Sequence, residues 1–412
     1  MFCKSVWNGL HILPDGYIRL CSIGANSKLE LDMQRCRDKD GNVMHILTHS
    51  IHDIMNSDKH REVRLLNLNT PNAWSPHCSC CENREIITNF DRTHPNKSRR
   101  IYLMKVEDTV NEDNLMLVNM DTAGNVDWMP SSLDIRFGNL CNQKCIMCGP
   151  TYSNQWYDEY VDYYGTTKFG EGGLAHGTRI ELMRKPNGKW EQPNELQWYN
   201  DPRWWPKFET MMPHLRHIYI TGGEPMVTPA HDVMLDKLIE SGYAKNIWLE
   251  YDTNCSAINA KIIERWYHFK KVDIRGSMDA IGDQYELIRF GGKWETFKKN
   301  VQILKDHEIQ SNNKIRLMAL STCFQIATVY SIVESEDWCN SIGVPFHLRF
   351  LEGPVHLSAA SLSSDTKRKL MAVAHFHTFM NYLDSTRHTN WKATFPKVHS
   401  LLTGVAHETD DV

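Results

Sequence analysis

Residues 132–148 read SLDIRFGNLCNQKCIMC, and this stretch decides how the chain is expected to fold and what it is expected to bind. Its first part alternates apolar and polar side chains, as a half-buried β-strand does. Directly after it, Cys141, Cys145 and Cys148 follow in the spacing C-x3-C-x2-C. Gaps this short allow three thiolates to surround one small metal group, and thiolates are the usual ligands of iron–sulfur clusters. Three ligands for a four-iron cluster leave one iron open, which distinguishes a catalytic metal site from a closed structural one.

Strand-like and helix-like runs alternate from residue 131 to residue 352. Six strands are predicted, over residues 132–137, 216–221, 246–252, 271–277, 314–321 and 345–351. Helices are predicted between most of them, from Thr228 to just before Gly242 and over residues 258–270, 294–308 and 328–342. Repeated strand–helix units predict a parallel sheet with right-handed crossovers, and six units are fewer than the eight of a closed TIM barrel. The expected fold class is therefore α/β, a partial (β/α)6 TIM-like barrel.

Two further regions flank this barrel. Residues 1–100 are rich in cysteine and turn-forming residues and are expected to form a separate N-terminal domain. Residues 353–412 are predicted to be a C-terminal helical extension, with a helix over residues 364–383 whose apolar side chains pack on the barrel. Within the barrel, residues 165–205 contain many glycines, prolines and tryptophans, which indicates an insertion at the barrel rim.

The composition is that of a globular protein of about two to three domains, because the 412 residues are 41% apolar and 23% charged. The sequence contains neither an apolar run of about 18 residues nor a secretory leader pattern, so no membrane span is expected and the cytoplasm is the expected location. A net charge of −4 argues against broad, charge-driven binding to nucleic acid. In a reducing compartment, clustered cysteines among the twelve are more often metal ligands than disulfides.

Short motifs at the ends of the predicted strands accompany the three cysteines. They comprise Gly222, Gly223, Glu224 and Pro225 after the second strand, Asn254 after the third, Ser277 and Asp279 after the fourth, and Arg289 further on. The carboxyl ends of barrel strands meet at one rim, where the active sites of such barrels are built. Adjacent glycines allow a ligand to approach the backbone closely. The sequence therefore predicts a ligand site at this rim.

This succession of motifs resembles the radical SAM superfamily over roughly residues 131–350. The resemblance implies that the three cysteines hold a [4Fe-4S] cluster. That cluster reductively cleaves S-adenosylmethionine to a 5′-deoxyadenosyl radical, which abstracts a hydrogen atom. The GGEP segment is then implied to bind the methionyl amino group and the S-x-D segment to contact the ribose, while Asn254 and Arg289 match residues of the family. Met147 stands where the family usually has an aromatic residue that packs on adenine, and Ala280 replaces a glycine. An electron donor such as flavodoxin or ferredoxin is also implied.

The three cysteines have a structural alternative, which is a zinc site or a group of buried thiols. A C-x-x-C pair alone leaves that alternative open, but the GGEP and S-x-D motifs in the expected order favour the radical SAM resemblance. A non-catalytic metal-binding scaffold is the alternative of another class. The same motifs argue against it, because a scaffold needs no site for S-adenosylmethionine.

A second cysteine set lies in the N-terminal region. Cys3 and Cys21 flank a Pro-Asp-Gly turn that suits a β-hairpin, and Cys78 and Cys81 follow in C-x2-C spacing. The pattern resembles the SPASM and twitch domains, and because no further cysteine precedes the barrel it is most similar to a twitch domain. The resemblance implies that these four cysteines bind a second, auxiliary [4Fe-4S] cluster, with Cys80 as an alternative to either of the last two. A small zinc ribbon, which also uses two cysteine pairs, is the structural alternative.

Several weaker signals have ordinary structural interpretations. His45, His49 and His52 are spaced so that one helix face could carry all three, as a metal triad or, preferably, as a polar surface. The run from residue 52 to residue 64 resembles the helix that SPASM-type domains place between their cysteine pairs. Cys255 follows the third strand, where a catalytic thiol is conceivable, but a buried small residue is the default expectation for it and for the other isolated cysteines.

The substrate is predicted from the resemblance alone. SPASM and twitch enzymes often modify peptides or proteins, so a peptide or protein substrate is expected. The alternative is the same chemistry on a small molecule or a nucleoside, which the twitch group also includes.

Overall fold

The computed structural model describes residues 5–21, 34–69, 120–170, 180–351, 353–359, 362 and 366–403. The chain folds as two compact units that interleave along the sequence. The first unit is formed by residues 1–139, 168–250 and 268–270, and the second by residues 140–167, 251–267 and 271–412. The predicted division into an N-terminal domain, a barrel and a helical extension stays a prediction.

Strands and helices alternate along much of the described chain. The strands are β1 (Gly9–Ile12), β2 (Ile18–Arg19), β3 (Ser132–Arg136), β4 (Lys168–Phe169), β5 (Ile180–Glu181), β6 (His217–Thr221), β7 (Trp248–Thr253), β8 (Lys271–Ser277), β9 (Ile315–Phe324) and β10 (Phe346–Phe350). The helices are α1 (Ser5–Asn8), α2 (Ile51–Met55), α3 (Asp58–Asn69), α4 (Tyr157–Tyr164), α5 (Trp204–Met211), α6 (Pro229–Glu240), α7 (Ala260–Trp266), α8 (Gly282–Ile288), α9 (Trp294–Gln310), α10 (Ile332–Ser341), α11 (Thr366–Arg387), α12 (Trp391–Thr394) and α13 (Pro396–Thr403). None of the described helices combines the length and apolarity that crossing a membrane requires.

The six strands predicted for the barrel are present as β3 and β6 to β10, each within a few residues of its predicted ends. In the first unit β3 runs parallel to β6, and in the second unit β9 runs parallel to both β8 and β10. Helices follow most of these strands. One of them, α6, begins at Pro229, which suits a first turn because its missing amide would have no partner there. Parallel strands joined by helices confirm the predicted α/β fold class.

Several of the predicted helices have other bounds in the structure. The run over residues 52–64 is divided between α2 and α3. The helix predicted over residues 258–270 is shorter, because Asn259 caps α7 by accepting a backbone amide and the helix ends at Trp266. The helix predicted from residue 328 begins only at Ile332, since a 3-10 turn precedes it.

In the first unit, β1 and β2 form the hairpin predicted around Gly16. The pair is antiparallel, with His11 opposite Arg19, and Gly16 adopts φ +77°, a left-handed conformation that glycine reaches at little cost. On its other side β1 pairs with β3 in parallel, which places Leu10 beside Leu133. The hairpin therefore shares a sheet with the first barrel strand, a pairing between residues far apart in sequence.

Part of the region predicted as a rim insertion belongs to the core of the first unit. Trp198 and Trp204 are buried, and their rings meet edge to face at 5.0 Å. The indole of Trp198 donates a hydrogen bond to the carbonyl of Pro14 in the hairpin turn over 3.1 Å. A side chain at Gly138 would collide with the carbonyl of Leu196. Residues of the predicted insertion therefore pack against both the hairpin turn and the end of β3.

The prediction that His45, His49 and His52 share a helix face is wrong. His45 lies in an extended segment, and its Nε2 bonds the carbonyl of Asp15 over 2.9 Å. His49 lies in the bend that follows, and only His52 belongs to α2. The reason is local, because the side chain of Ser50 caps α2 and so starts the helix after the first two histidines.

The core of the second unit joins the C-terminal helices to the segment that carries the three cysteines. Helix α11 continues beyond the predicted end at residue 383 and reaches Arg387. Its buried Phe376 and Met380 pack with Ile146 and Trp156 in one apolar cluster. That cluster also contains Ala280, Leu287, Ile288, Ile326, Ala327, Leu357, Phe379, Leu383, Trp391, Phe395 and Val398. The predicted packing of the C-terminal helix on barrel residues is therefore present.

Candidate metal centre

The segment Cys141–Cys148, called here the cysteine loop, belongs to the second unit and is held by its own backbone. The amide of Lys144 donates to the carbonyl of Phe290 over 2.9 Å, and the amide of Ile146 donates to the carbonyl of Ile288 over 2.8 Å. Helix α8 ends at Ile288, so the loop is bonded to the end of a helix and the turn after it. These bonds hold the backbone of the loop between its first and its last cysteine.

The three thiols of the loop differ in exposure and in their preference for charge. Cys145 is buried, while Cys141 and Cys148 are partly exposed. A hydrogen bond with Cys148 lowers the pKa of the Cys145 thiol, and the guanidinium of Arg289 acts in the same direction. That hydrogen bond, together with burial, raises the pKa of the Cys148 thiol. The surroundings therefore favour the thiolate form at Cys145 more than at Cys148.

The donor set of the loop fits an iron–sulfur cluster. All three donors are cysteine thiols, and thiolates are the usual ligands of such clusters. A structural zinc site would need a fourth ligand beside them.

Arg289 lies buried between a thiol of the loop and a carboxylate. Its Nη1 donates to Cys145 Sγ over 3.7 Å, and its Nη2 lies 2.6 Å from Asp279 Oδ2. Asp279 also accepts the amide of Cys323 over 2.7 Å and adopts φ +67°. A residue other than glycine in this left-handed region stores strain that surrounding contacts must hold. The carboxylate that the resemblance assigns to the ribose is thus already paired with Arg289 inside the protein.

Two glycines behind Arg289 let the chain approach the loop closely. Gly291 adopts φ +95°, and a Cβ there would lie 3.0 Å from the carbonyl oxygen of Asn142. At Gly292 a Cβ would lie 2.7 Å from Gln143 Nε2. A side chain at Gly291 would strain the left-handed backbone and press on a main-chain carbonyl, so this glycine is required where the loop is held, whereas the glutamine end near Gly292 can move.

Asn254, which follows β7, is linked to the loop by a relay of polar side chains. Its Nδ2 donates to Asn142 Oδ1 over 2.9 Å, and its Oδ1 accepts the amide of Ser256 over 2.8 Å. Asn142 Nδ2 donates in turn to Ser256 Oγ over 2.7 Å. The neighbouring Cys255 is fully buried, as expected for a core residue. Asn254 therefore fixes a residue of the cysteine loop.

The GGEP segment lies at the carboxyl end of β6, as predicted, and belongs to the first unit. Gly222 adopts φ +129°, and a Cβ there would lie 3.2 Å from the Cβ of Arg136 at the end of β3. Glu224 is buried, and its side chain accepts a backbone amide to cap the short 3-10 helix that begins at Pro225. Gly223 between them is partly exposed. The first glycine is therefore required by the packing of two strand ends.

Met147 and Ser277 also belong to the second unit. Met147 is partly buried against the apolar cluster of the C-terminal helices, and Ser277 ends β8 in register with Ser321 of β9. Among the N-terminal cysteines, Cys21 is partly exposed and directly follows the hairpin. The others of that set lie outside the described residues, namely Cys3, Cys78, Cys80 and Cys81.

Sequence reasoning missed the buried charges around the loop. Glu159 of α4 forms ion pairs with Lys144 of the loop, over 2.5 Å, and with Arg387 of α11, over 2.7 Å. In the sequence these three residues look like ordinary surface charges. No pattern of spacing relates them, because they are far apart along the chain and only the fold brings their charges into contact.

Residues 3–82 match the family model of the SPASM domain, an iron–sulfur cluster-binding domain. The matched range includes all four cysteines predicted to bind the auxiliary cluster. The N-terminal region is therefore similar to an iron–sulfur domain of the SPASM type, and the resemblance drawn from the sequence is confirmed. No curated protein matches the chain in sequence.

The chain is also similar to solved structures of two proteins. Native anSMEcpe with bound AdoMet is 14% identical, and the match covers 63% of this chain and 63% of that chain with a TM-score of 0.35. SuiB of Streptococcus suis, bound to the precursor peptide SuiA, is 14% identical, and the match covers 76% of this chain and 65% of that chain with a TM-score of 0.34. In both cases the chain spans less than two thirds of the length of the other protein.

Proposed function

We propose that this protein is a radical SAM enzyme, which cleaves S-adenosylmethionine reductively and abstracts a hydrogen atom from a peptide or protein through the 5′-deoxyadenosyl radical. The observation that carries the proposal is the cysteine loop. Its three thiols have C-x3-C-x2-C spacing, its backbone is bonded to residues 288 and 290, and Arg289 lies against its middle thiol. The SPASM match over residues 3–82 supports it separately, since such domains accompany radical SAM barrels in the resemblance.

Cys141, Cys145 and Cys148 would hold a [4Fe-4S] cluster. When bound, that cluster supplies one electron to the sulfonium of S-adenosylmethionine. The protein's own contribution is positional and electrostatic. Arg289 keeps a positive charge and an N–H donor on Cys145, and Asp279 holds the guanidinium in that place. Asp279 is thus proposed to orient Arg289, which is a different role from the contact with the ribose.

The strand-end motifs would bind S-adenosylmethionine. By resemblance, the segment Gly222–Pro225 is assigned to the methionyl amino group, and the partly exposed Gly223 offers backbone for close approach. Ser277 at the end of β8 and Asn254 after β7 supply polar groups, and Met147 supplies an apolar surface for adenine. These assignments are proposals that binding measurements on single variants can test.

The N-terminal cysteines would hold a second cluster, the auxiliary one. Cys3, Cys21, Cys78 and Cys81 provide four thiolates, and a site closed by four ligands suits electron transfer or substrate binding better than cleavage of S-adenosylmethionine. A SPASM-type domain also supports a peptide or protein as the substrate, since that is what such domains often serve. A reduced flavodoxin or ferredoxin would supply the electron.

Anaerobic reconstitution with iron and sulfide, followed by S-adenosylmethionine and dithionite, tests the proposal. We expect 5′-deoxyadenosine from the wild type and none above background from the Cys145→Ala variant. Cys339→Ala is the matched control, because this thiol is buried in α10 and burial raises its pKa to about 12. Iron-loaded wild type that forms no 5′-deoxyadenosine would refute the function. Stimulation of its formation by a peptide pool, compared with nucleoside and small-molecule pools, distinguishes the substrate classes.

A further inference from the structure

We propose that Arg387, at the carboxyl end of α11, is a positioning residue for the cysteine loop and acts through Glu159, Trp156 and Phe290. The proposal deepens the proposed function and rests on it in one respect, that the loop is where the cluster is held. It assigns a role in the metal centre to the C-terminal helical segment, more than 200 residues beyond the loop in sequence.

The first link from Arg387 to the loop is a buried ion pair. The side chains of Arg387 and Glu159 are 1% and 6% exposed. Arg387 Nε and Nη2 donate three hydrogen bonds to the two carboxylate oxygens, over 3.1, 3.1 and 2.7 Å. Lys144 Nζ lies 2.5 Å from Glu159 Oε1. Glu159 therefore connects α11 to a residue that stands between the first two cysteines of the loop.

The second link runs through two aromatic rings that contact the guanidinium. Its central carbon lies 4.8 Å from the ring of Trp156 and 4.9 Å from the ring of Phe290, within the range of cation–π attraction. The indole of Trp156 donates to the carbonyl of Cys145 over 3.0 Å. The carbonyl of Phe290 accepts the amide of Lys144 over 2.9 Å. Both residues are therefore hydrogen-bonded to the backbone of the loop, Trp156 through its ring and Phe290 through its main-chain carbonyl.

Removal of Arg387 would disturb both links at once. Glu159 would stay buried with Lys144 as its nearest counter-charge, and a buried charge that loses a partner is strongly destabilising. Movement toward water then lowers the free energy of the carboxylate, and its partner Lys144 moves with it. Because Lys144 lies inside the loop, the expected result is local opening at the thiols, beyond any loss of overall stability.

The test uses the full-length protein without iron, so that its readout does not depend on activity. Iodoacetamide alkylation of each loop thiol is followed by mass spectrometry. In Arg387→Met we expect the buried Cys145 to react about tenfold faster or more, because local opening exposes it. Arg316→Met is the matched control. It removes a bidentate pair with the buried Asp273 in the same unit, and the rate at Cys145 should not change.

Two further variants separate positioning from folding. Glu159→Gln keeps the shape of the side chain but removes its charge, and it should accelerate alkylation as Arg387→Met does. Arg387→Lys keeps the charge without the bidentate geometry and should give an intermediate rate. Circular dichroism establishes whether each variant is folded. If Arg387→Met fails to fold, the comparison of Glu159→Gln with Arg316→Met decides the question.

Wild-type alkylation rates in Glu159→Gln and in folded Arg387→Met would overturn this positioning role. Failure of the proposed function would look different. A wild-type protein that takes up no iron at the loop, or forms no 5′-deoxyadenosine, would refute that function while the alkylation rates still report on Arg387.

Discussion

The cysteine loop and the N-terminal hairpin both present thiols after a strand, but they are organised in opposite ways. In the loop, three thiols lie on one short segment whose amides are bonded to Ile288 and Phe290. The hairpin presents Cys21, and the cysteines that would join it in an auxiliary site, such as Cys78, are distant in sequence. The backbone of the loop is therefore held by contacts within its own unit, whereas the N-terminal cysteines are separated by long stretches of sequence.

The two regions also differ in their buried charge. Beside the loop, the cation of Arg289 favours a thiolate at Cys145. In the hairpin turn, burial raises the pKa of Asp15 to about 6, so that environment disfavours a negative charge. The loop therefore differs from the hairpin turn both in its backbone hydrogen bonds and in the charge that its surroundings favour.

Loss of the loop cluster is the largest effect that we expect. Replacing Cys141, Cys145 and Cys148 together with alanine should remove about four of about eight irons, since each cysteine set is expected to hold one four-iron cluster. Iron analysis and the electron paramagnetic resonance spectrum measure the loss. Cys339→Ala is the control and should keep the iron content of the wild type. Full iron content in the triple variant would contradict the proposal that the loop holds a cluster.

The second prediction separates the two regions. Replacing Cys78 and Cys81 with alanine should leave the loop cluster and a slow, substrate-independent formation of 5′-deoxyadenosine, while turnover of the substrate is lost. The physical reason is that the loop is held by its own backbone bonds. Melting followed by circular dichroism must accompany the assay, because metal binding and folding are coupled in small sites. Full substrate turnover by a folded double variant would show that the auxiliary site is dispensable.

The third prediction concerns the hairpin turn. Burial raises the pKa of Asp15 from 3.8 to about 6, against the effect of backbone hydrogen bonds from Asp15 and Tyr17. Asp15 therefore ionises at a lower pH in the unfolded chain than in the folded one. The free energy of unfolding should fall as the pH rises from about 4 through about 6, with a loss of up to ~3 kcal/mol by about pH 7.

Urea unfolding of the wild type and of Asp15→Asn, at about pH 4.5 and about pH 7, measures this effect. In the variant, the free energy of unfolding should lose the part of its pH dependence that Asp15 contributes. The difference between the two proteins therefore isolates Asp15 from the other titrating groups. The same slope in both proteins would mean that the carboxyl group is ionised in the fold and that the turn tolerates charge.

The smallest effect is expected for Arg289→Met. Loss of the N–H donor and of the positive charge beside Cys145 should destabilise the reduced, more negative cluster and lower its midpoint potential. A hydrogen bond to a charged group contributes about 1.5–3 kcal/mol, and only the difference between the two oxidation states shifts the potential, so for one electron the decrease should stay below roughly 130 mV. A redox titration followed by electron paramagnetic resonance measures the shift, with Arg316→Met as the control. An unchanged potential would mean that the backbone bonds alone prepare the loop.

Much of the fold was predictable because strands and turns are signalled locally. The strand predicted over residues 271–277 is observed as Lys271–Ser277, and the turn at Gly16 forms the expected hairpin. Alternation of apolar and polar side chains and a glycine in a turn act over a few residues, so sequence alone carries them. The three histidines after residue 44 were misread because one capping serine outweighed their helical spacing.

The grouping of Cys141, Cys145 and Cys148 follows from the sequence alone, because C-x3-C-x2-C spacing keeps three thiols within one short segment. Only the tertiary structure decided how that segment is held and charged. Arg289 with Asp279, and Arg387 with Glu159, act on the loop because burial removes them from water, and charges without water interact strongly with whatever lies beside them. Burial depends on contacts between distant segments, which no local pattern of residues records.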